Sequence, residues 1–104
     1  MPKPLFIPLY TEYYDAFLRG DKKHELRMYG PRWNEKSCAV GRPALLSKGY
    51  GKQNRATSTV KSFSAKMGYE LSEQDQKAVL ACHGLLNIRI AVIGLADPVE
   101  ISHA

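Results

Sequence analysis

The sequence is short of cysteine, with two in 104 residues, and it places them where they suggest no metal site. Cys38 and Cys82 stand far apart, with no CxxC and no Cys/His pattern around them. Neither a structural zinc nor a disulfide framework is expected, and they read as two reduced thiols. No apolar run approaches the roughly 20 residues of a membrane span. Met1 to Pro4 supplies a lysine and two prolines but no signal-peptide core, so a cytoplasmic protein without a membrane partner is expected. Repeats and low-complexity segments are absent, and no GxxxxGK[ST] occurs, so the loop-like stretch from Lys48 to Arg55 is not a Walker loop. No metal or organic cofactor is implied. The most informative shortage is of acid. Between Glu35 and Glu70 there is no aspartate or glutamate, whereas Lys36, Arg42, Lys48, Lys52, Arg55, Lys61 and Lys66 all lie inside. The formal charge of +5 is therefore concentrated in one half of the chain. That pattern fits a polyanionic partner, and it also fits a solvated face that keeps a protein soluble.

What is present fits one domain over residues 1–104. Leu5 to Leu9 reads as a first strand, with Pro8 marking an edge or an end. Tyr10, Tyr13, Tyr14, Phe17 and Leu18 follow helical spacing, with Thr11 as expected cap, Arg19 in the last turn and Gly20 as a left-handed stop. The three tyrosines read as core, with nucleobase stacking as the alternative. A strand over Glu25 to Tyr29 is broken by Gly30-Pro31. Trp33 then sits in a polar loop, as a lid over the core or as a stacking platform, and the lid is preferred. Ala44 to Ser47 and Ala56 to Phe63 read as strands, the latter continuing toward Lys66. Ser72 to Asp75 is a capping box for a helix ending near His83-Gly84, with Ala78, Val79 and Cys82 as its buried stripe. Leu85 to Ala96 is expected to be a central strand, ended by Asp97-Pro98. Two helices cannot cover both faces of an open parallel sheet. The fold class is therefore α+β: a small, mixed, partly closed β-barrel flanked by two helices.

The chain is organised around Gly20 to Arg27. In an extended strand Glu25, Arg27 and Tyr29 share one face, and His24, Leu26 and Met28 share the other. Glu25 and Arg27 are then roughly 7 Å apart along the strand, close enough to hold one ligand between them. Lys22 has the wrong parity and joins them only if it still belongs to the turn. The alternative is a solvated ion pair, which contributes under about 1 kcal/mol. His24, expected at a core edge, together with His83 and His103, forms no recognisable set.

The series Tyr14-Asp15-Ala16-Phe17-Leu18-Arg19-Gly20-Asp21-Lys22-Lys23-His24-Glu25-Leu26-Arg27 resembles the signature of ASCH domains, in which a helix ends in Gly-x-Lys and leads into Glu-x-Arg on a strand. Val40 to Leu46 is similar to that family's next barrel strand. The resemblance implies a PUA-like barrel with a cleft that takes RNA or a nucleotide. Some small members remove the acetyl group from acetylcytidine with a lysine, a threonine and a glutamate, and others are linked to RNA cleavage. Carried over by position, the lysine falls on Lys22 and the threonine on Glu25. The spacing does not place the glutamate, for which Glu70 is one candidate.

Three functional classes follow. The first is a domain binding RNA or a modified nucleotide through Lys22, Glu25, Arg27, Ser47, Lys48 and Tyr50, with Lys48, Lys52, Arg55 and Lys61 tracking a backbone and Tyr50 and Phe63 interleaved for stacking. The second is a hydrolase acting on an acylated nucleoside or on RNA, with Lys22 as base or nucleophile and Glu25 as acid-base partner. A lysine does such work only when its pKa is brought down from about 10.4 toward neutrality. The third is an adaptor docking its basic face on an acidic protein.

Overall fold

The structure, a computed structural model, describes residues 3–101. His103 lies outside the described residues. Strand β1 (Leu5–Leu9) alternates strictly, burying Leu5, Ile7 and Leu9. Helix α1 (Thr11–Arg19) follows at once. The cap is Tyr10, not the expected Thr11: the strand runs to Leu9, so the break falls on the next residue and Thr11 is already helical. Tyr10 makes no side-chain cap, and its carbonyl takes the amides of Tyr13 and Tyr14 at 3.0 and 2.9 Å. The expected aromatic stripe is consequently split. Tyr14 and Phe17 enter the core, Tyr13 packs against its edge, and Tyr10 remains exposed. At the other end Gly20 adopts φ 82°, a left-handed conformation that glycine reaches without a Cβ clash.

The remaining strands are β2 (His24–Met28), β3 (Pro43–Lys48), β4 (Arg55–Met67), β5 (Arg89–Leu95) and β6 (Val99–Glu100), with helix α2 (Glu73–His83) between β4 and β5. The sheet order is β1-β3-β4-β5-β2, with β6 beside β4. Only β1 and β3 pair in parallel, and every other pairing is antiparallel. Strand β4 serves both halves. Its start pairs with β3, a register shift follows between Val60 and Ser62, and its remainder pairs with β5. A bulge at that point bends the sheet, which is how one long strand turns the corner of a partly closed barrel. The α+β fold expected from the sequence is the one observed.

Trp33 is buried in the main core, as a lid would be. Two expectations need correction. The strand expected over Leu85 to Ala96 begins only at Arg89, because Leu86 and Ile88 give their carbonyls to Tyr69 and Gly68 and hold the turn that returns from α2. Strand β5 stops at Leu95, so Asp97-Pro98 ends it as expected, and the chain beyond forms β6 alongside β4. In α2 only Val79 is buried, and Cys82 is exposed. Ser72 caps that helix as expected, accepting from the Asp75 amide at 3.2 Å, but the reciprocal half of the box is not made, since the Asp75 carboxylate turns to His24; the helix lies on the outer face of the sheet and not against the main core.

Tyr14 reaches across the barrel and donates to Glu100 Oε2 at 3.2 Å. Burial first, and then the Glu100 carboxylate, push its phenol up to about 12. Folding thus favours the protonated phenol, a contribution fully present below pH 10 and lost as pH rises toward 12. Tyr14→Phe removes that titration, so unfolding free energy measured in urea falls less steeply between pH 10 and 12 in the variant. An unchanged slope would contradict it.

Candidate functional site

The left-handed stop at Gly20 curls the chain back on its own helix, and the amides of Asp21 and Lys22 both donate to Ala16 O at 2.9 and 3.2 Å. Lys22 therefore belongs to the turn, which frees it from the parity of β2. Its Nζ lies 3.4 Å from Glu25 Oε1, 5.0 Å from the centre of the Tyr13 ring and 5.4 Å from that of Phe17. On β2, Glu25 and Arg27 share a face as expected. Arg27 Nε donates to Glu25 Oε2 at 2.9 Å, Nη2 lies 2.8 Å from the same oxygen, and Nη2 also donates to Pro8 O at 2.5 Å. The guanidinium stacks 4.7 Å from the centre of the Trp33 ring.

This is no solvated pair, because Glu25 is only 6% exposed. Its carboxylate is shared by two cations, and no buried side-chain polar atom among the described residues lacks a partner. Such a network is neutral to stability when complete and costly when opened, because the remaining charges stay buried. Arg27 also spans the gap between β1 and β2, the two ends of the sheet path, which no strand pairing closes.

Around this network lies a cleft of about 860 Å³ between α1, β2 and α2. On its far wall His24 meets Asp75 of α2, Nε2 to Oδ2 3.0 Å, so His24 faces the outer helix and not the core edge expected of it. Gln76 anchors the start of α2 by donating to Tyr69 O at 3.0 Å and Leu71 O at 2.9 Å. The lining is close to charge balance, with Glu12, Asp21, Glu25 and Asp75 against Lys22, Lys23 and Arg27. Burial, and then the nearby Cys82 and Glu12, raise the Tyr13 phenol above its usual value and keep it a donor. No group of three or more metal-ligating side chains occurs among the described residues.

Of the residues singled out from the sequence, Lys22, Glu25, Arg27 and Tyr50 line the cleft. Ser47 and Lys48 do not. Ser47 is fully buried beneath the loop after β3 and donates to Gly51 O at 3.1 Å. Lys48 turns to Asp15 of α1 at 3.2 Å. Arg55 lies 5.2 Å from the centre of the Phe6 ring and donates to Gly51 O, outside the cleft with the exposed Lys52 and Lys61. Phe63 is half-buried, packs against the core and does not line the cleft. Glu70 accepts from the Met67 amide in the turn before α2 and does not line the cleft. Sequence reasoning missed Tyr13, Asp75, Cys82 and His83 as cleft residues. The Tyr13 position was visible in the helical spacing. Asp75 meets His24 from 51 residues away, and nothing in the sequence signals that contact.

The fold, a mixed half-barrel with two helices, is similar to that of solved ASCH proteins. Three crystal structures of an ASCH protein from Zymomonas mobilis carry the likeness. A serine-to-alanine variant superposes with TM-score 0.62 at 16% identity, covering 90% of this chain and 71% of that one. A tyrosine-to-phenylalanine variant gives 0.61 at 17%, covering 93% and 73%. The third, of the ASCH protein itself, gives 0.59 at 16%, covering 88% and 66%. At such identity the likeness concerns the fold. No protein-family model and no curated protein matches the chain. Among the described residues no helix is long and apolar enough to cross a membrane.

Replacing Glu25 with alanine leaves Lys22 and Arg27 facing each other without their carboxylate. Glu25→Ala is expected to cost roughly 3–5 kcal/mol, as breaking a buried ion pair does. The check is the urea unfolding midpoint, and a loss no larger than a surface substitution would give, under about 0.5 kcal/mol, would show that the network does not hold the site.

Proposed function

We propose that this chain is a cytoplasmic ASCH-type domain that binds RNA or a modified nucleotide in the cleft between α1 and α2. The observation that carries this reading is Lys22. Its ammonium stands at the cleft, held by one carboxylate contact and framed by two aromatic rings. An ammonium has three donors, so contacts remain for a ligand oxygen or ring nitrogen. Tyr50, 77% exposed, stands where a base leaving the cleft would stack. Beyond it Lys52, Arg55 and Lys61 supply charge for a backbone, while Ser47 and Lys48 support the loop that carries Tyr50.

The same geometry favours binding over bond cleavage. Glu25 has both oxygens engaged, Oε1 by Lys22 and Oε2 by Arg27, whereas an acid-base partner needs an oxygen free to exchange a proton with substrate. No carboxylate other than Glu25 contacts Lys22 within 4 Å among the described residues. An acidic protein on the basic face has less in its favour, because Arg42 and Lys48 already have intramolecular partners.

Equilibrium binding of single-stranded and duplex RNA across a salt series, wild type beside Lys22→Ala, tests the reading. The expected result is a preference for one RNA form that Lys22→Ala abolishes, with affinity for that form falling about tenfold or more. Weak binding that fades equally with salt in both proteins would mean that net charge alone was being measured.

A further inference from the structure

Strand β2 ends the sheet path and pairs with β5 on one side only. In an antiparallel pair the peptide groups of alternate residues point at the partner strand, and those between them point away. Two hydrogen bonds fix the parity here. Leu95 N donates to Lys23 O at 2.9 Å, and Tyr29 N donates to Arg89 O at 3.0 Å. The peptide groups of Glu25 and Arg27 therefore face β5, and those of His24, Leu26 and Met28 face the open edge. Among the described residues, none of these three N–H and C=O pairs has a protein hydrogen-bond partner.

The opposite bank of the gap is not equivalent. On β1, Pro8 has no N–H and its carbonyl is taken by Arg27. At Pro8 the β1 bank therefore offers no free main-chain donor, whereas on the β2 side His24, Leu26 and Met28 line the cleft. The two helices stand on opposite faces of the sheet at this edge. The turn after α1 meets the face of Glu25 through Lys22, and α2 meets the face of His24 through Asp75. Anything hydrogen-bonded to the edge extends the plane of the sheet into the cleft that Tyr13 of α1 and Val79 of α2 both line. That slot suits a flat ring. An extended peptide carries side chains above and below the plane, into the space where the helices stand. The near balance of charge in the lining leaves the cleft without the cationic excess that a phosphate would seek, and so points to a neutral heterocycle inside with phosphates outside.

We propose that the free edge of β2, centred on the Leu26 peptide, reads the Watson–Crick edge of an unpaired nucleobase inserted between α1 and α2. A base presents adjacent donor and acceptor atoms on that edge, and an unpaired strand presents C=O and N–H groups at matching alternation. The proposal rests on the nucleotide-binding reading of the cleft and adds which part of the nucleotide is read, with the main chain as the reader.

The test is an amide-resolved NMR titration of the whole chain with adenosine, cytidine, guanosine and uridine, and with 1-methylguanosine and 3-methyluridine. Each of these methyl groups replaces the ring N–H at the centre of the Watson–Crick edge while keeping the sugar and both ring faces. The expected result is that uridine or guanosine shifts the amides of Leu26 and Met28, and that its methylated form binds about tenfold or more weakly. Equal affinity for the methylated form overturns the proposal. So do shifts that vanish in Lys22→Ala but never include Leu26 or Met28, an outcome that leaves cleft binding standing. Silence from all four unmodified nucleosides overturns it as well, and the RNA salt series then decides separately whether the cleft binds nucleic acid.

Discussion

One carboxylate, that of Glu25, sits where the fold and the site meet. It is buried on the inner face of β2, where Lys22 from the helix turn and Arg27 from its own strand both contact it. The two cations are used differently. Arg27 is planar and many-donored, so the same group that binds Glu25 also reaches Pro8 O and stacks on Trp33, tying β2 to β1 and to the core. Lys22 is a point charge on a flexible stem, and after one contact with Glu25 it still has donors directed toward the cleft. The set is thus divided into a cation that ties strands together and a cation that lines the cleft, sharing one counter-ion.

The cleft follows from the same topology. Because β2 crosses to pair with β5 and not with β3, it becomes an end strand, and the path from β1 to β2 is left open. Helix α1 fills the barrel side of that opening with Tyr14 and Phe17, while α2 lies on the outer face, held by the His24–Asp75 contact and by the turn at Tyr69 and Leu71. A space between two helices with a strand edge as its floor is what remains. Its lining is near neutral in charge, and the cationic Lys52, Arg55 and Lys61 lie beyond it.

Much of this was legible from local pattern. The Gly20 stop, the shared face of Glu25 and Arg27, the Ser72 cap and the α+β class all depend on residues within a few positions of one another, and each was read correctly. What escaped depends on distant contacts. Periodicity cannot say that the buried face of β2 is its charged one, since burial of Glu25 is permitted only by partners placed in space. It also could not say that Cys82 is exposed, because α2 covers an outer face where a full apolar stripe is not needed. Ser47 and Lys48 looked like cleft residues by proximity in sequence. The loop after β3 buries the first, and the end of that strand delivers the second to Asp15.

The division of labour between the two cations is most directly tested by native-state amide hydrogen exchange on Arg27→Lys beside Lys22→Ala. A lysine at position 27 keeps the charge but cannot bridge Glu25 and the Pro8 carbonyl together. The account predicts faster exchange at the Glu25 and Arg27-position amides, which bond to β5, in the first variant and near wild-type protection in the second. Unchanged β2 protection in Arg27→Lys, or equal loss in Lys22→Ala, would contradict it.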